Sequence, residues 1–152
     1  MESIDSLARR LTRLELIEAA RLCVTRYVNA CDRRDHEALA REVFAEDAVL
    51  HVPGADFSGR EAVVAFFRDA FTASPQLQRH FLANPVTEVV DAGTVVSCCY
   101  FLYVGSDADL ILGFGSYRDV MVVRDGIARM REKTITMDLM QPIARVPGPA
   151  QA

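Results

Sequence analysis

Four β-like segments, 79–90, 94–104, 111–124 and 127–140, follow one another almost without interruption. Only short turn signals part them, at Asp91-Ala92-Gly93, Gly105-Ser106-Asp107 and Asp125-Gly126. The last is a two-residue Asp-Gly, the strongest short hairpin signal, because its turn needs positive φ at both central positions. Strands joined this tightly pair antiparallel, since a parallel return needs a crossover of a dozen or more residues. What precedes them reads mostly as helix. Residues 1–11 form a short helical lead-in, and the first strong helix runs over about 12–32. Thr12-x-x-Glu15 fits a capping box at its start. Ile17, Ala20, Val24, Val28 and Cys31 make one apolar stripe along it. A shorter helix follows over about 36–43, then a turn at 44–47 and a strand over 48–52. Phe57-Ser58-Gly59 starts a short return strand, a third helix runs to about Phe71, and 72–78 is a loop. Helices, a strand pair, a helix and a meander make an α+β domain.

The chain has 152 residues, 51% hydrophobic and 25% charged, enough for one core without staples. Residues 1–143 read as a single domain and 144–152, with Pro147-Gly148-Pro149, as a flexible tail. No apolar run approaches the ~20 residues a membrane helix needs. The first residues lack a basic stretch followed by an apolar one, so a cytoplasmic location and no membrane partner are expected. A net charge of −4 argues against nucleic acid as a partner. Cys23, Cys31, Cys98 and Cys99 have no C-x-x-C spacing and are expected to be reduced. No metal is expected, because His36, His51 and His80 would have to converge from distant segments and no H-E-x-x-H pattern occurs. No phosphate-cradling glycine loop and no G-x-S-x-G elbow are present, so neither a nucleotide cofactor nor serine catalysis is indicated.

Two residues stand out for acid–base chemistry. Asp32 falls four residues after Val28, within about 60° of the centre of the first helix's apolar stripe. A carboxylate there needs a partner, or else simply ends the helix as its polar cap. His80 opens an apolar strand in which His80, Leu82, Asn84 and Val86 alternate onto one face. It could be a general base near neutral pH, or a satisfied core histidine. Together an Asp and a His make a dyad, in which the carboxylate fixes the tautomer and steadies the imidazolium.

The stretch Tyr27 to Leu39 resembles the first-helix motif of scytalone dehydratase and of hexachlorocyclohexane dehydrochlorinase. Arg79-His80-Phe81, followed by Asn84, resembles the strand that carries the catalytic His of those families. Gly126 to Lys133, continuing to Met137 and Gln141-Pro142-Ile143, is similar to the dehydrochlorinase's C-terminal strand. The pattern over roughly residues 7–143 resembles that of SnoaL-like domains of the nuclear transport factor 2-like superfamily. The resemblance implies a cone-shaped α+β barrel, with N-terminal helices packed on a curved, mixed, mainly antiparallel sheet. It implies an Asp32–His80 dyad and a cationic Lys133 facing the pocket. It departs at Cys31, where scytalone dehydratase has Tyr, and at Tyr27, where the dehydrochlorinase has Lys. Near Tyr103 the dehydratase has a second His.

Other residues are placed by alternation. Tyr27, Tyr103 and Tyr117 are candidate phenol donors to a carbonyl, or amphipathic core residues. Lys133 alternates with Arg129, Arg131, Ile135, Met137 and Leu139. Asp119 alternates with Tyr117 and Met121, either as an acid–base group or as a partner of Arg129 or Arg131. His51 lines the pocket or its mouth. Phe44, Val49, Phe66, Phe67, Leu82, Met121 and Met137 are expected in the lining. The leading expectation is a cofactor-free, dehydratase-like lyase acting on a hydrophobic, carbonyl-bearing small molecule. A polyketide-type cyclase or isomerase uses the same proton transfer. A non-catalytic binding or assembly module is the reading from another class. A homodimer or homotrimer is expected, with Arg118, Val120, Val122 and Arg124 alternating on a face that could supply the contact.

Overall fold

A computed structural model describes residues 3–107 and 109–145. The expected lead-in and first helix are one helix, α1 (Ile4–Arg33). Its cap is Ser3, whose Oγ accepts from the Ser6 N–H at 3.2 Å. Thr12 is therefore inside the helix, and the capping-box reading is corrected. Only the second half of α1 packs: Ala20, Cys23, Tyr27, Ala30 and Cys31 are buried, whereas Leu7, Leu11 and Leu14 are exposed. The helix stops because Arg34 turns left-handed (φ 59°, ψ 33°) and its N–H closes on the Ala30 and Cys31 carbonyls. That end leaves Asp32 in the last turn.

The second helix is split into a single turn, α2 (His36–Ala38), capped by Asp35, and a π-helical turn over Leu39–Val43. The expected turn at 44–47 belongs instead to a longer strand, β1 (Phe44–Val52), which pairs with β2 (Ala55–Ser58). Gly59, at φ 86°, swings the chain into α3 (Arg60–Ala73). Val63, Phe67 and Phe71 recur every four residues and make its buried stripe.

Four long strands follow: β3 (Leu77–Val89), β4 (Thr94–Ser106), β5 (Asp109–Arg124) and β6 (Ile127–Arg145). Sheet order is β2-β1-β6-β5-β4-β3. All neighbours are antiparallel except β1 and β6, which run parallel. The sheet is thus mixed and mainly antiparallel, as expected. β6 reaches Arg145, so Ala144 and Arg145 of the expected tail are sheet residues, paired with Leu110 and Asp109. Residues 146–152 lie outside the described residues.

The curvature has a countable cause. β6 has 19 residues and pairs along the 16 of β5. The register skips at Arg131, Asp138 and Ile143, each an extra residue that bends the strand and raises its twist. Beside the second skip, a Cβ on Gly115 would run into the Thr136 carbonyl, so only glycine fits there.

The bulges also change faces. Arg131 is the extra residue, so Lys133 turns inward while Arg129, paired with Val122, turns outward. The expectation that Arg129, Arg131 and Lys133 share a face is overturned. β3 has a comparable break between Ala83 and Val86, where Asn84 takes φ 51° before Pro85. Proline cannot donate to the ladder, which is why strands bulge there. His80 and Leu82 therefore share a face that Asn84 and Val86 do not.

Candidate active site

The inner face of β3 to β6, the second half of α1 and the buried stripe of α3 enclose a cavity of about 290 Å³. Its walls are mostly aromatic and aliphatic: Tyr27, Phe66, Phe67, Phe71, Phe101 and Met137 among them. Polar atoms reach it from few residues, chiefly His80, Gln78, Cys31 and the tyrosines. No Lys, Arg, Asp or Glu lines it.

Asp32 and His80 meet at one side of this cavity. Asp32 comes from the capped end of α1 and His80 from the fourth position of β3. His80 Nδ1 lies 2.7 Å from Asp32 Oδ1. The backbone N–H of His80 donates to the same oxygen at 3.1 Å. A carboxylate receiving a backbone N–H is fixed in place, and it then requires the proton of the ring on Nδ1. The lone pair of Nε2 is left over, and the ring lines the cavity. The two side chains are only 12% and 13% exposed, so the pair is shielded from competing water. Burial lowers the pKa of His80 from 6.5, Asp32 pulls it back up, and the Lys133 charge lowers it further.

Tyr103 also lines the cavity, with its ring 5.1 Å from that of His80. Its hydroxyl donates to Gln78 Oε1 at 3.2 Å, and Gln78 Nε2 donates to the Cys31 carbonyl at 2.6 Å. Tyr103 thus has its proton committed to Gln78. Gln78 escaped the sequence reading, although it sits two residues before His80 and so shares its face.

Lys133 and Asp119 are not in the lining. Lys133 is 0% exposed, and its Nζ donates to Asp119 Oδ1 at 2.9 Å. The ammonium sits 3.9 Å from the Tyr27 ring centre and 3.8 Å from that of Tyr117. It is covered by the two rings, which themselves form the cavity wall. The expectation that Lys133 faces the pocket is corrected, and Asp119 takes Lys133, not Arg129 or Arg131, as its partner. Burial pushes Tyr27 and Tyr117 well above the usual phenol range, so both keep their protons. Burial also pushes the Cys31 thiol up to about 12, and the adjoining Tyr27 hydroxyl draws it down.

His51 is elsewhere. It pairs with Asp56 at 2.7 Å across the β1–β2 hairpin and is exposed. Phe44, Val49, Leu82 and Met121 also stay out of the lining, while Phe66, Phe67 and Met137 are in it. The four cysteines are free thiols. Among the described residues no group of three or more His, Cys, Asp or Glu is arranged to hold a metal, and no helix is long and apolar enough to cross a membrane.

Residues 12–134 match the SnoaL-like domain family. The chain belongs to that family. Compared by sequence with curated proteins, it matches none. Among solved structures this SnoaL-like protein is similar to LinA, at 21% identity and TM-score 0.81, over 92% of this chain and 99% of that one. A hexachlorocyclohexane dehydrochlorinase, LinA-type3 of Novosphingobium barchaimii, is 23% identical with TM-score 0.79, over 91% and 99%. A candidate scytalone dehydratase of Novosphingobium aromaticivorans is 18% identical with TM-score 0.77, over 93% and 97%. At these identities the likeness is one of fold, and chemistry must be argued from the SnoaL-like protein's own residues.

Proposed function

We propose that this protein is a cofactor-free lyase, with His80 as general base and Asp32 as the group that orients it. The observation that carries this reading is the 2.7 Å Asp32–His80 bond at the wall of an apolar cavity. Nε2 takes a proton from a carbon next to an electron-withdrawing group. The C–H electron pair becomes the new double bond, and a β-substituent leaves with its own bonding pair. If the substituent is hydroxide, the imidazolium returns the proton and water departs. Asp32 stabilises the imidazolium in between. Tyr27 and Tyr117 keep their protons at neutral pH and can donate to developing negative charge. Cyclisation or double-bond isomerisation starts from the same proton transfer and shares this machinery.

A lining without Lys, Arg, Asp or Glu suits a neutral, apolar substrate. The experiment is a panel of neutral β-hydroxy and β-chloro carbonyl compounds, with hexachlorocyclohexane included, incubated in ²H₂O with EDTA. Elimination, or deuterium entering at the activated carbon, is expected. If no compound eliminates or exchanges, the lyase reading is lost.

The reaction needs neutral His80. Its pKa lies below 6.5, so the base form dominates at pH 7. kcat/KM is expected to stay level through neutral pH and to fall about tenfold per unit below the His80 titration. An acid limb centred above 6.5 would contradict the buried environment.

The outer face of the sheet carries a second expectation. Phe81, Leu102, Phe114 and Leu139 lie in register across four adjacent strands. The first three are exposed, a larger apolar run than an isolated surface leucine. A second copy of the chain is proposed to cover it. Light scattering is expected to give two or three times 16.9 kDa, and Phe114→Lys to lower that mass. A wild-type chain that stays monomeric at micromolar concentration would dismiss the idea.

A further inference from the structure

Outside the cavity, a cleft of about 470 Å³ opens between β1 and β6. The two strands pair at Phe44–Met130 and again at Val49–Glu132. Four residues of β1 lie between those points against one of β6, Arg131, so β1 bows away from its neighbour. Into the gap come Arg60, Arg124, Arg129 and Arg131, with only Glu46 and Asp47 opposing them. Arg60 is paired with Glu46 at 3.5 Å, at the exposed rim.

The other three arginines have no carboxylate within 4.0 Å among the described residues. Asp91 feels the charge of Arg131, but its carboxylate is committed to the N–H groups of Gly93 and Thr94 at 2.9 and 2.8 Å. Arg129 Nη1 is sealed from solvent and has no hydrogen-bond partner. Buried donors are nearly always satisfied, and an orphan one calls for an acceptor that completes it. A guanidinium takes oxyanions through two parallel N–H bonds. Four arginines against two carboxylates leave two positive charges, which a dianion balances.

We infer that this cleft is a binding site for a small dianionic oxyanion, held by Arg124, Arg129 and Arg131. Hydrogen phosphate and a short dicarboxylate share the required chemistry. None of the cleft's lining residues lines the cavity, so the site stands independently of the lyase reading.

The test is calorimetric titration of the full chain with inorganic phosphate and with succinate, against sodium chloride at matched ionic strength. Saturable binding of one anion per chain is expected. Arg129→Gln and Arg131→Gln should each weaken it at least tenfold. Arg68→Gln, on the outer side of α3, should leave it unchanged. Arg129→Lys should keep part of it, because the charge stays while the paired N–H geometry goes. Melting curves without anion check that each variant is folded. Binding of phosphate alone assigns a tetrahedral anion, and binding of succinate alone assigns paired carboxylates. Heats no larger than those of chloride, or binding that survives both glutamine variants, would overturn the inference.

Discussion

Asp32→Asn is expected to lower kcat by about 10²–10⁴-fold, the usual range for general-base help, with little change in melting temperature. The substitution keeps shape and keeps an oxygen that can accept the His80 backbone N–H, now at 3.1 Å. What it removes is the negative charge. Without it the imidazolium formed on proton abstraction is unsupported in a buried site, and the amide can donate to Nδ1 and drive the ring into the wrong tautomer. His80→Ala should cost at least as much, because no other titratable group in the lining has a pKa near neutrality. The two losses should not add, since each disables the same unit. Circular dichroism and a melting curve accompany the rates. If both variants turn over as the wild type does, Asp32 and His80 are a structural pair and the chemistry lies elsewhere.

How much of this was legible in the sequence depends on what each residue's place rests on. The four long strands and their turns were readable because Asp125-Gly126 and the other turn residues act locally. Asp32 and His80 were readable for a related reason: each lies on the inward face of its element before any irregularity intervenes. Lys133 was not. Strict alternation puts it on one face with Arg129 and Arg131, and the extra residue at Arg131 reverses that face until the next extra residue, Asp138, reverses it again. Bulges are tertiary accommodations of a curved sheet, and nothing in Arg129-Met130-Arg131 announces one. Asn84-Pro85 did carry a warning, since proline in a strand marks a break in the ladder. Gln78 was missed because a polar residue at a strand's start looks like an end signal. Only its two hydrogen bonds, to Tyr103 and to the Cys31 carbonyl, reveal it as part of the wall. His51 failed the other way: its strand is inner-facing in part, but the β1–β2 hairpin gives it Asp56 at the surface.

Lys133→Met should destabilise the fold by about 3–5 kcal/mol, the cost of leaving one partner of a buried ion pair uncompensated. Lys133 is fully buried and Asp119 is 1% exposed. The second carboxylate oxygen, Oδ2, already lacks a partner. Removing the ammonium therefore strands a charge with no hydrogen bond of its own, and strips two tyrosine faces of their cation as well. The pH dependence separates this cause from simple loss of packing. Burial already raises the pKa of Asp119, with Lys133 holding it down. Without Lys133 it rises further, and a group whose folded pKa exceeds its unfolded one adds stability as the pH falls through the folded value. The deficit of Lys133→Met, measured by denaturant unfolding, should shrink between pH 7.5 and 5. A packing defect would stay constant over that range. Lys133→Met combined with Asp119→Leu should recover most of the loss, because an apolar pair carries no desolvated charge. A single variant within about 1 kcal/mol of the wild type at pH 7.5, smaller than any stranded buried charge allows, would mean that water reaches Asp119. The ammonium would then not be sealed behind Tyr27 and Tyr117, and those two rings could not be the closed wall of the cavity.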